Sequence, residues 1–336
     1  MVNVAIVGAT GEVGRAFLKV LEERNFPVKE LRLFASSKSE GKTITFKGHE
    51  YKVEALEKQD SFKGIDIALF SAGSTVSKEW APKFAKDGAI VIDNSSAWRM
   101  DEDVPLVVPE VNKEDIKKHK GIIANPNCST IQMLVAIKPI YDEFGISKII
   151  VSTYQAVSGA GAKAIEELKT QTENWCQKKR IEPNHVLPKR IAFNVIPQID
   201  VFLEDGYTKE ETKMLNETRK MLHDNDIRVS ATTVRVPVFY GHSEAISLEL
   251  KKEVDIQKIK ELLRKAPSVI LMDEPHESVY PIPIVVEGRD EVFVGRIRKD
   301  RAFDNGISMW VVADNIRKGA ATNAIQIAEV IINEGG

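Results

Sequence analysis

Residues 4–14 have the sequence VAIVGATGEVG, and this stretch decides the expected fold. Its first four residues form a continuous apolar run, which is typical of a strand buried on both faces of a parallel sheet. The run is followed by three glycines at intervals of three, namely Gly8, Gly11 and Gly14. Apolar residues then recur with helical spacing from Val13 to Leu21. Strand, glycine turn and helix predict a dinucleotide-binding unit, because backbone without a Cβ can approach a pyrophosphate at the helix start. The alternative is a tight strand–helix turn without a ligand.

The end of the next predicted strand, Leu31 to Ala35, bears on which dinucleotide binds. An NAD site usually has an acidic residue there, which accepts a hydrogen bond from the ribose 2′-OH. Here Ser36, Lys38 and Ser39 follow the strand, and hydroxyls with a cation suit a 2′-phosphate. We therefore expect NADP rather than NAD. A solvated polar loop is the alternative, and Glu40 is the nearest acidic residue.

Two further buried strands are predicted at Ile65 to Phe70 and Ala89 to Asp93. Each is followed by small polar residues, among them Ser71, Gly73 and Asn94. These are candidate cofactor residues, because ligands of open α/β sheets bind at the carboxyl ends of the strands. The alternation of strands with helical patterns predicts right-handed crossovers and a Rossmann-type first domain.

A cysteine lies in the sequence ANPNCSTIQ at residues 124–132. Cys128 follows a predicted short strand, Gly121 to Ala124, and precedes a predicted helix, Ser129 to Phe144. A cysteine at a strand-to-helix turn meets unpaired helix N–H groups and the positive end of the helix dipole, which favour the nucleophilic thiolate. The alternative is a buried packing residue, which is the commoner role of an isolated cysteine. Cys176 lies in a polar helical stretch, and we interpret it as incidental packing.

The pattern changes after Cys128. Strand-like runs recur at Lys148–Val157, Arg228–Val238, Glu244–Lys251, Val269–Met272, Glu291–Arg298 and Ile307–Ala313, with helix-like stretches at Lys209–His223 and Ile256–Arg264. These predict an α+β catalytic and dimerisation domain over residues 128–314, built on a mostly antiparallel sheet. An amphipathic helix at Gly319 to Ile332 is expected to return to the first domain, which then comprises residues 1–127 and 315–336.

Several polar residues are candidates for chemistry. His242 follows a predicted strand in the sequence VRVPVFYGHSEA, in a turn that also brings Arg235 near. Histidine is the natural acid or base at neutral pH, although a lone histidine is more often a satisfied or surface residue. Gln155, at a strand end before a glycine loop, is suited to orient a substrate carbonyl, or else is a side chain at a sheet edge.

One charged pair and one arginine have two interpretations each. Glu210 and Lys213 are spaced i and i+3, which places them on one helix face, either as site residues or as a solvated ion pair. Arg99 follows a strand end, where it either clamps an anion or lies on a loop surface.

Composition limits the classes of function. The chain has 336 residues, a formal net charge of -2 and two cysteines. This balance gives no case for nucleic acid or an anionic membrane surface, and no apolar run approaches the roughly 18–20 residues that span a bilayer. We expect a cytoplasmic enzyme without a signal peptide, and no disulfide framework or cysteine-rich zinc site.

Together these motifs resemble aspartate-β-semialdehyde dehydrogenase in its bacterial form. The resemblance rests on GATGEVG at 8–14, SAGST at 71–75, VVPEVN at 107–112, PNCSTIQ at 126–132, STYQAVSGAG at 152–161, IPQID at 196–200, GHSE at 241–244 and VGRIRKD at 294–300. It implies NADPH-dependent reduction of L-4-aspartyl phosphate to L-aspartate 4-semialdehyde and phosphate, through a thioester on the cysteine. It also implies a step toward lysine, threonine and methionine, and a homodimer that sometimes pairs into a tetramer.

The resemblance assigns roles residue by residue. Cys128 would be the nucleophile, His242 the general acid/base, and Gln155 the group that orients the acyl carbon. Arg235 would hold the substrate carboxylate and Glu210 its ammonium. The departing phosphate would be bound by Arg99, Asn127 and Lys213. NADP would be bound by Thr10, Gly11, Glu12, Val13, Lys38, Ser39, Ser158, Gly159 and Asn315.

Two other functions compete with this one. N-acetyl-glutamyl-phosphate reductase has the same architecture, but an acetylated substrate has no ammonium and needs no carboxylate at Glu210. A catalytically silent NADP-binding paralogue is the second alternative. The joint presence of Cys128, Gln155, Arg235 and His242 argues against it.

Overall fold

A computed structural model describes residues 1–181 and 186–334. The chain divides into a first unit, Met1–Asn127 with Gly319–Gly336, and a second unit, Cys128–Lys318. Asn315 is hydrogen-bonded within the second unit to Ser158 and Gly241. Within the described residues no helix is long and apolar enough to cross a membrane.

The first unit is built on a seven-stranded sheet. Its elements are β1 (Val2–Val7), α1 (Glu12–Glu23), β2 (Val28–Ala35), β3 (Thr43–Phe46), β4 (His49–Ala55), β5 (Ile67–Phe70), α2 (Ser74–Lys86), β6 (Ile90–Asp93), α3 (Pro109–Asn112) and β7 (Ile122–Ala124). The strand order is β3-β4-β2-β1-β5-β6-β7, and every pair is parallel except the β3–β4 hairpin. The strands predicted as apolar runs lie at its centre, which confirms the Rossmann-type fold, whereas the hairpin was not predicted.

The glycine turn after β1 depends on the absence of side chains. Gly8 has a φ of +90°, and a Cβ there would lie 2.9 Å from the carbonyl carbon of Ser71. A Cβ on Gly14 would lie 2.2 Å from the carbonyl oxygen of Gly8. Only glycine lets β1, the turn and α1 approach this closely.

The second unit is built on a six-stranded mixed sheet. Its elements are α4 (Cys128–Phe144), β8 (Ile146–Gln155), α5 (Ala162–Cys176), α6 (Lys209–Leu222), β9 (Arg228–Arg235), β10 (His242–Leu250), α7 (Ile256–Lys265), β11 (Val269–Leu271), α8 (Pro283–Val286), β12 (Val292–Lys299) and β13 (Gly306–Ala313). The order is β11-β12-β13-β10-β8-β9, with antiparallel pairing at β12–β13, β13–β10 and β10–β8. The mostly antiparallel sheet is therefore confirmed, with parallel pairs at its two edges.

Two local expectations about this unit are corrected. His242 is the first residue of β10 rather than part of a turn, because its neighbours already pair with β8 and β13. Helix α4 begins at Cys128 itself, one residue earlier than expected, so the cysteine occupies the first helical position.

The chain ends in α9 (Thr322–Glu334), which follows a π-helical turn at Arg317–Ala321. Glu329 of α9 accepts two hydrogen bonds from Arg24, at 2.7 and 2.6 Å. Asn323 Nδ2 donates to Asn125 Oδ1 at 2.7 Å. Both contacts lie within the first unit, as expected for a C-terminal helix that returns to it.

Candidate active site

A cleft of about 380 Å³ opens at the carboxyl end of the first unit's sheet. Its lining includes Gly8, Thr10, Gly11, Ser36 and Ser71, all of which were predicted to bind the cofactor, together with Leu56, Glu57 and Trp80. Glu12 and Val13 open helix α1 directly after this lining, so their N–H groups lie at the helix start. The cleft can therefore hold a dinucleotide pyrophosphate against backbone, and a Cβ at Gly8 would press on the Ser71 backbone that forms part of its lining.

The segment after β2 carries the residues expected to select the cofactor. Lys38 and Ser39 lie in a short 3₁₀ helix, Ser37–Ser39. Glu40, the nearest acid in sequence, forms an ion pair with Lys58 at 2.7 Å. A different carboxylate, Glu57, accepts a hydrogen bond from the Ser37 N–H at 2.8 Å, a contact that the sequence did not reveal because the two residues lie on different loops.

Arg99 is buried in the first unit and holds two loops together. Its Nε donates to the carbonyl oxygen of Asn125 at 3.0 Å, and its Nη2 donates to that of Asn94 at 2.9 Å. The Asn94 side chain in turn accepts a hydrogen bond from the Asn125 amide. Arg99 thus fixes the turn that leads to Asn127. Gly73, another predicted cofactor residue, lies between β5 and α2 with a φ of +88°.

Three predicted residues of the second unit form a row across neighbouring strands. Arg235 of β9 pairs in register with Gln155 of β8. On the other side of β8, Ser243 pairs with Tyr154, which brings His242 beside Gln155. All three side chains are almost fully buried. Adjacent strands therefore assemble a guanidinium, an amide and an imidazole from positions up to 87 residues apart in the sequence, as from Gln155 to His242.

The imidazole of His242 is held by backbone. The Ala156 N–H donates to His242 Nδ1 at 3.0 Å. Burial and then the positive charge of Arg235 lower the pKa of His242 well below its usual value, and only the Gly241 carbonyl opposes this. A neutral ring is therefore the expected form at neutral pH.

Arg235 is the charged centre of this row. Its Nη1 donates to the Ala156 carbonyl oxygen at 2.6 Å. Burial lowers the pKa of the guanidinium, and attraction to Glu210 and Cys128 opposes that shift. The interaction places the Cys128 sulfur, half-buried at the start of α4, within the electrostatic reach of Arg235.

The Glu210–Lys213 pair extends the row on α6. Glu210 accepts from Gln155 Nε2 at 3.3 Å and from Lys213 Nζ at 3.2 Å. Lys213 also contacts Asp200 at 2.9 Å, a partner that the sequence did not reveal. Burial alone would lower the pKa of Lys213, but Glu210 and Asp200 outweigh it and raise that pKa. The neighbouring Glu211 is instead occupied by a capping box with Thr208, which supports Glu210 as the site residue.

A second row of polar residues, Gln132 and Glu244, follows Cys128 and His242 along α4 and β10. Glu244 is two residues after His242 on the same face of β10, and Gln132 is one turn after Cys128 on α4. Gln132 Nε2 donates to the carbonyl oxygen of His242 at 3.3 Å. Burial raises the pKa of the Glu244 carboxyl well above its usual value, and the Gln132 amide opposes this in part. Gln132 and Glu244 thus lie one helix turn after Cys128 and one strand repeat after His242.

Three predicted cofactor residues lie in the second unit, at the same end of its sheet. Ser158 Oγ and Asn315 are hydrogen-bonded at 3.0–3.1 Å, and Asn315 also accepts from the Gly241 N–H. Gly159 leaves space: a Cβ there would lie 3.0 Å from Arg235 Nη1 and 3.1 Å from His242 Nε2.

Comparisons with known proteins match both units of the chain to the same kind of enzyme. Residues 3–119 match the semialdehyde dehydrogenase NAD-binding domain, and residues 137–318 match the semialdehyde dehydrogenase dimerisation domain. The aspartate-semialdehyde dehydrogenase of Aquifex aeolicus is 71% identical over 99% of this chain and 98% of its own length. The chain belongs to the aspartate-semialdehyde dehydrogenase family.

Solved structures agree with this family. Aspartate semialdehyde dehydrogenase II of Vibrio cholerae, complexed with ASA, matches with a TM-score of 0.96 and 50% identity over 99% of this chain and 98% of that one. The Candida albicans enzyme, crystallised with NADP, matches with a TM-score of 0.79 and 26% identity over 100% of this chain and 99% of that one. Members of the aspartate-semialdehyde dehydrogenase family are oxidoreductases of amino-acid biosynthesis with a Rossmann-type nucleotide-binding domain.

Some contacts of the candidate site could not be predicted from the sequence. Ala156 acts through its backbone alone, and Asp200 reaches Lys213 only through the fold. Gln132 and Glu244 could have been identified from the sequence, because their spacing from Cys128 and His242 fits one helix turn and one strand repeat.

Proposed function

We propose that this protein catalyses the reversible, NADPH-dependent reductive dephosphorylation of L-4-aspartyl phosphate to L-aspartate 4-semialdehyde and phosphate. The observation that carries the proposal is the row of Arg235, Gln155 and His242, with Cys128 in the electrostatic field of Arg235. A nucleophile, a buried cation and two polar groups in one place suit covalent acyl transfer.

Cys128 is the proposed nucleophile. Its thiolate is stabilised by the start of α4 and by Arg235, and its attack on the acyl carbon forms a C–S bond and releases phosphate. Gln155 orients the acyl oxygen, and His242 completes proton transfer and hydrogen bonding at that oxygen. NADPH, when bound, supplies the hydride that reduces the thioester. Arg99, Asn127 and Lys213 are the proposed phosphate ligands.

The recognition of an amino acid follows from two charges in the second unit. Arg235 is the proposed partner of the substrate α-carboxylate, and Glu210 that of its ammonium. Glu210 argues against an N-acetylated substrate, because an acetamide would leave this buried carboxylate facing no cation of the ligand. The reaction supplies the branch toward lysine, with diaminopimelate, and toward threonine, methionine and isoleucine.

We propose NADP as the cofactor. Ser36, Lys38 and Ser39 offer hydroxyls and a cation at the end of β2, and Glu40 is paired with Lys58. The Candida albicans relative crystallised with NADP supports this choice. Glu12, Val13, Ser71, Gly73 and Asn94 complete the proposed contacts of the first unit.

A homodimer, which can pair further into a tetramer, is the proposed assembly. One face of the six-stranded sheet carries Ile150 and Tyr154 of β8, which are 48% and 38% exposed. Tyr154 packs on Trp310 of β13 at 5.4 Å between ring centroids. Exposed aromatic and aliphatic side chains on one sheet face suit a subunit interface, and the match to a dimerisation domain supports this.

The test is a spectrophotometric assay with the full chain, NADP, phosphate and L-aspartate 4-semialdehyde. We expect NADPH to form only when phosphate is present. Activity with N-acetyl-glutamate semialdehyde instead would favour the acetylated substrate. Absence of activity with both aldehydes, while NADP still binds, would favour a silent paralogue.

A further inference from the structure

We propose that the side chains of Glu244 and Gln132 form a buried carboxylic acid–amide pair, which ties helix α4 to strand β10 and so positions Cys128. The pair joins the first turns of the helix that carries the sulfur to the strand that begins at His242. The consequence for Cys128 rests on the proposed function. The pair itself follows from the burial and the neighbours of the two side chains.

Three polar atoms of these two side chains are buried and have no hydrogen-bond partner within residues 1–181 and 186–334. They are both carboxyl oxygens of Glu244 and the amide oxygen Oε1 of Gln132. Both residues are completely buried, with 0% exposure. Because a buried polar atom without a partner destabilises a fold, we expect these two groups to satisfy each other.

The neighbours of Glu244 leave Gln132 as its partner. In the sheet register Glu244 lies between Thr153 of β8 and Val311 of β13. Val311 is apolar, and the Thr153 hydroxyl already donates to Gln155 Oε1 at 3.0 Å. Helix α4 packs against β10. Within the described residues, its Gln132 amide is the one polar side chain that acts on the Glu244 carboxyl.

Only the protonated form of Glu244 completes the pair. Burial favours the neutral carboxyl, and no cation of the described residues acts on it. The O–H of a neutral carboxyl donates to Gln132 Oε1, and its carbonyl oxygen accepts one N–H of the amide. A carboxylate would offer acceptors only and leave Oε1 without a donor. The other N–H of Gln132 serves the carbonyl oxygen of His242 at 3.3 Å, so every polar atom of the amide is used.

The pair supports the part of α4 that carries the sulfur. Gln132 lies one helical turn after Cys128, on the same face of the helix. In an α-helix the N–H of residue 132 bonds to the carbonyl oxygen of residue 128, so a fixed Gln132 restrains the backbone of Cys128. The start of a helix needs such support, because its leading N–H groups have no partner within the helix. A neutral pair also adds no negative charge that would oppose the Cys128 thiolate.

The direct test is infrared difference spectroscopy of the full chain at pH 7, with and without ¹³C in the carboxyl groups of glutamate. Wild type minus Glu244→Gln should show the carbonyl band of one protonated carboxyl, which ¹³C shifts to lower frequency. In Gln132→Met this band should move to higher frequency, because the acid loses its hydrogen-bond acceptor. A carboxylate signal at Glu244, or a band that Gln132→Met leaves in place, would overturn the proposal. The first comparison needs only wild type and Glu244→Gln, so it decides the protonation even if Gln132→Met does not fold.

A kinetic test measures the consequence for Cys128. Glu244→Met removes the pair at similar side-chain volume and should lower kcat by more than about tenfold, because the sulfur shifts from its reactive position. The KM for L-aspartate 4-semialdehyde should change less than about threefold, since Arg235 and Glu210 are unaltered. Glu244→Gln offers an amide–amide pair and should recover most of the lost kcat. Equal losses of kcat in Glu244→Met and Glu244→Gln would overturn the positioning role.

Ile246→Ala is the matched control for a loss of stability. Ile246 follows Glu244 by one strand repeat on the same buried face of β10, is 1% exposed and has no polar group. It should lower the urea midpoint about as much as Glu244→Met and keep kcat within about twofold. A fall in kcat as large as that of Glu244→Met would mean that turnover follows stability and not the pair. A wild-type protein inactive with L-aspartate 4-semialdehyde would refute the proposed function instead, and the infrared test would still decide the pair.

Discussion

The cleft of the first unit and the row of polar residues in the second are constructed from different parts of the chain. The cleft uses backbone: Gly8 has a left-handed conformation, and a Cβ on Gly14 would collide with the Gly8 carbonyl. The row uses side chains that the sheet register brings together, Arg235, Gln155 and His242. A backbone site is damaged by adding atoms, whereas a side-chain site is damaged by removing them. Substitutions of opposite kinds should therefore separate the two sites.

The largest effect is expected from the removal of one sulfur in the second unit. Cys128→Ser should lower kcat by at least about 10³-fold, because a neutral hydroxyl replaces a thiolate that Arg235 stabilises. The dissociation constant for NADP, measured by fluorescence titration, should change by less than about twofold. Cys176→Ser is the matched control, since that thiol is exposed on α5, and it should keep full activity. Residual turnover of Cys128→Ser above a few per cent would contradict covalent catalysis.

The reverse pattern is expected when atoms are added to the first unit. Gly14→Ala places a Cβ 2.2 Å from the Gly8 carbonyl oxygen, so α1 must move away from the turn. Overpacking of this kind costs about 1–3 kcal/mol of unfolding free energy, and NADP affinity should fall by more than about tenfold as the helix start shifts. Gly64→Ala is the control, because its φ of +83° strains an alanine while its Cβ meets no atom and lies outside the cleft, so it should lose stability and keep NADP affinity.

The alkylation rate of Cys128 distinguishes local from global damage in Gly14→Ala. It should remain unchanged, since the substitution lies in the first unit and Cys128 belongs to the second. If Gly14→Ala and Gly64→Ala bind NADP equally well, the close approach of α1 to the turn is not needed for binding.

The same contrast explains what the sequence could predict. The glycine turn is local, so VAIVGATGEVG alone specified a strand, a turn, a helix and their ligand class. The strands of the second unit could also be predicted from the sequence, as apolar runs. The register that sets Gln155 between Arg235 and His242 could not be predicted, because it depends on pairing between strands that are far apart in the sequence rather than on any short pattern.

Contacts that use backbone or distant loops were invisible for the same reason. Ala156 has no functional side chain, yet both its N–H and its carbonyl hold site residues. Asp200 and Glu57 are ordinary surface acids in the sequence, and only folding brings them to Lys213 and to Ser37. The β3–β4 hairpin was missed because its short strands carry many polar residues.

A smaller, pH-dependent effect is expected at the second row. Burial raises the pKa of Glu244 in the folded protein above 4.5, its ordinary value. The stability that its protonated form contributes is present below pH 4.5 and is lost as the pH rises toward the raised pKa. Glu244→Gln keeps the shape without the titration. The unfolding free energy of wild type minus variant, from urea titrations at pH 5–8, should therefore fall with pH by up to ~1.4 kcal/mol per pH unit.

Glu249→Gln on the same strand is the matched control for this measurement. Hydrogen bonds from Ser147 and then Lys148 lower the pKa of Glu249, so its contribution is complete above pH 4.5 and is lost only on acidification. The difference between wild type and Glu249→Gln should be flat from pH 5 to 8. A flat difference for Glu244→Gln as well would mean that Glu244 is ionised in the folded protein.

The smallest effect is expected at the edge of the cleft, where a side chain does modify the backbone site. Glu57 lines the cleft with Ser36, and hydrogen bonds from its own backbone and from Ser37 lower the pKa of its carboxyl, so it is ionised. A carboxylate there can accept from the 2′-OH of NADH and repels the 2′-phosphate of NADPH. Glu57→Gln should therefore raise the ratio of kcat/KM for NADPH to that for NADH by roughly threefold to tenfold, and the gain should shrink in high salt.

Glu40→Gln is the control for Glu57→Gln, because it removes a charge already paired with Lys58 and should change the ratio less. An unchanged ratio in Glu57→Gln would leave cofactor choice to Ser36, Lys38 and Ser39 alone.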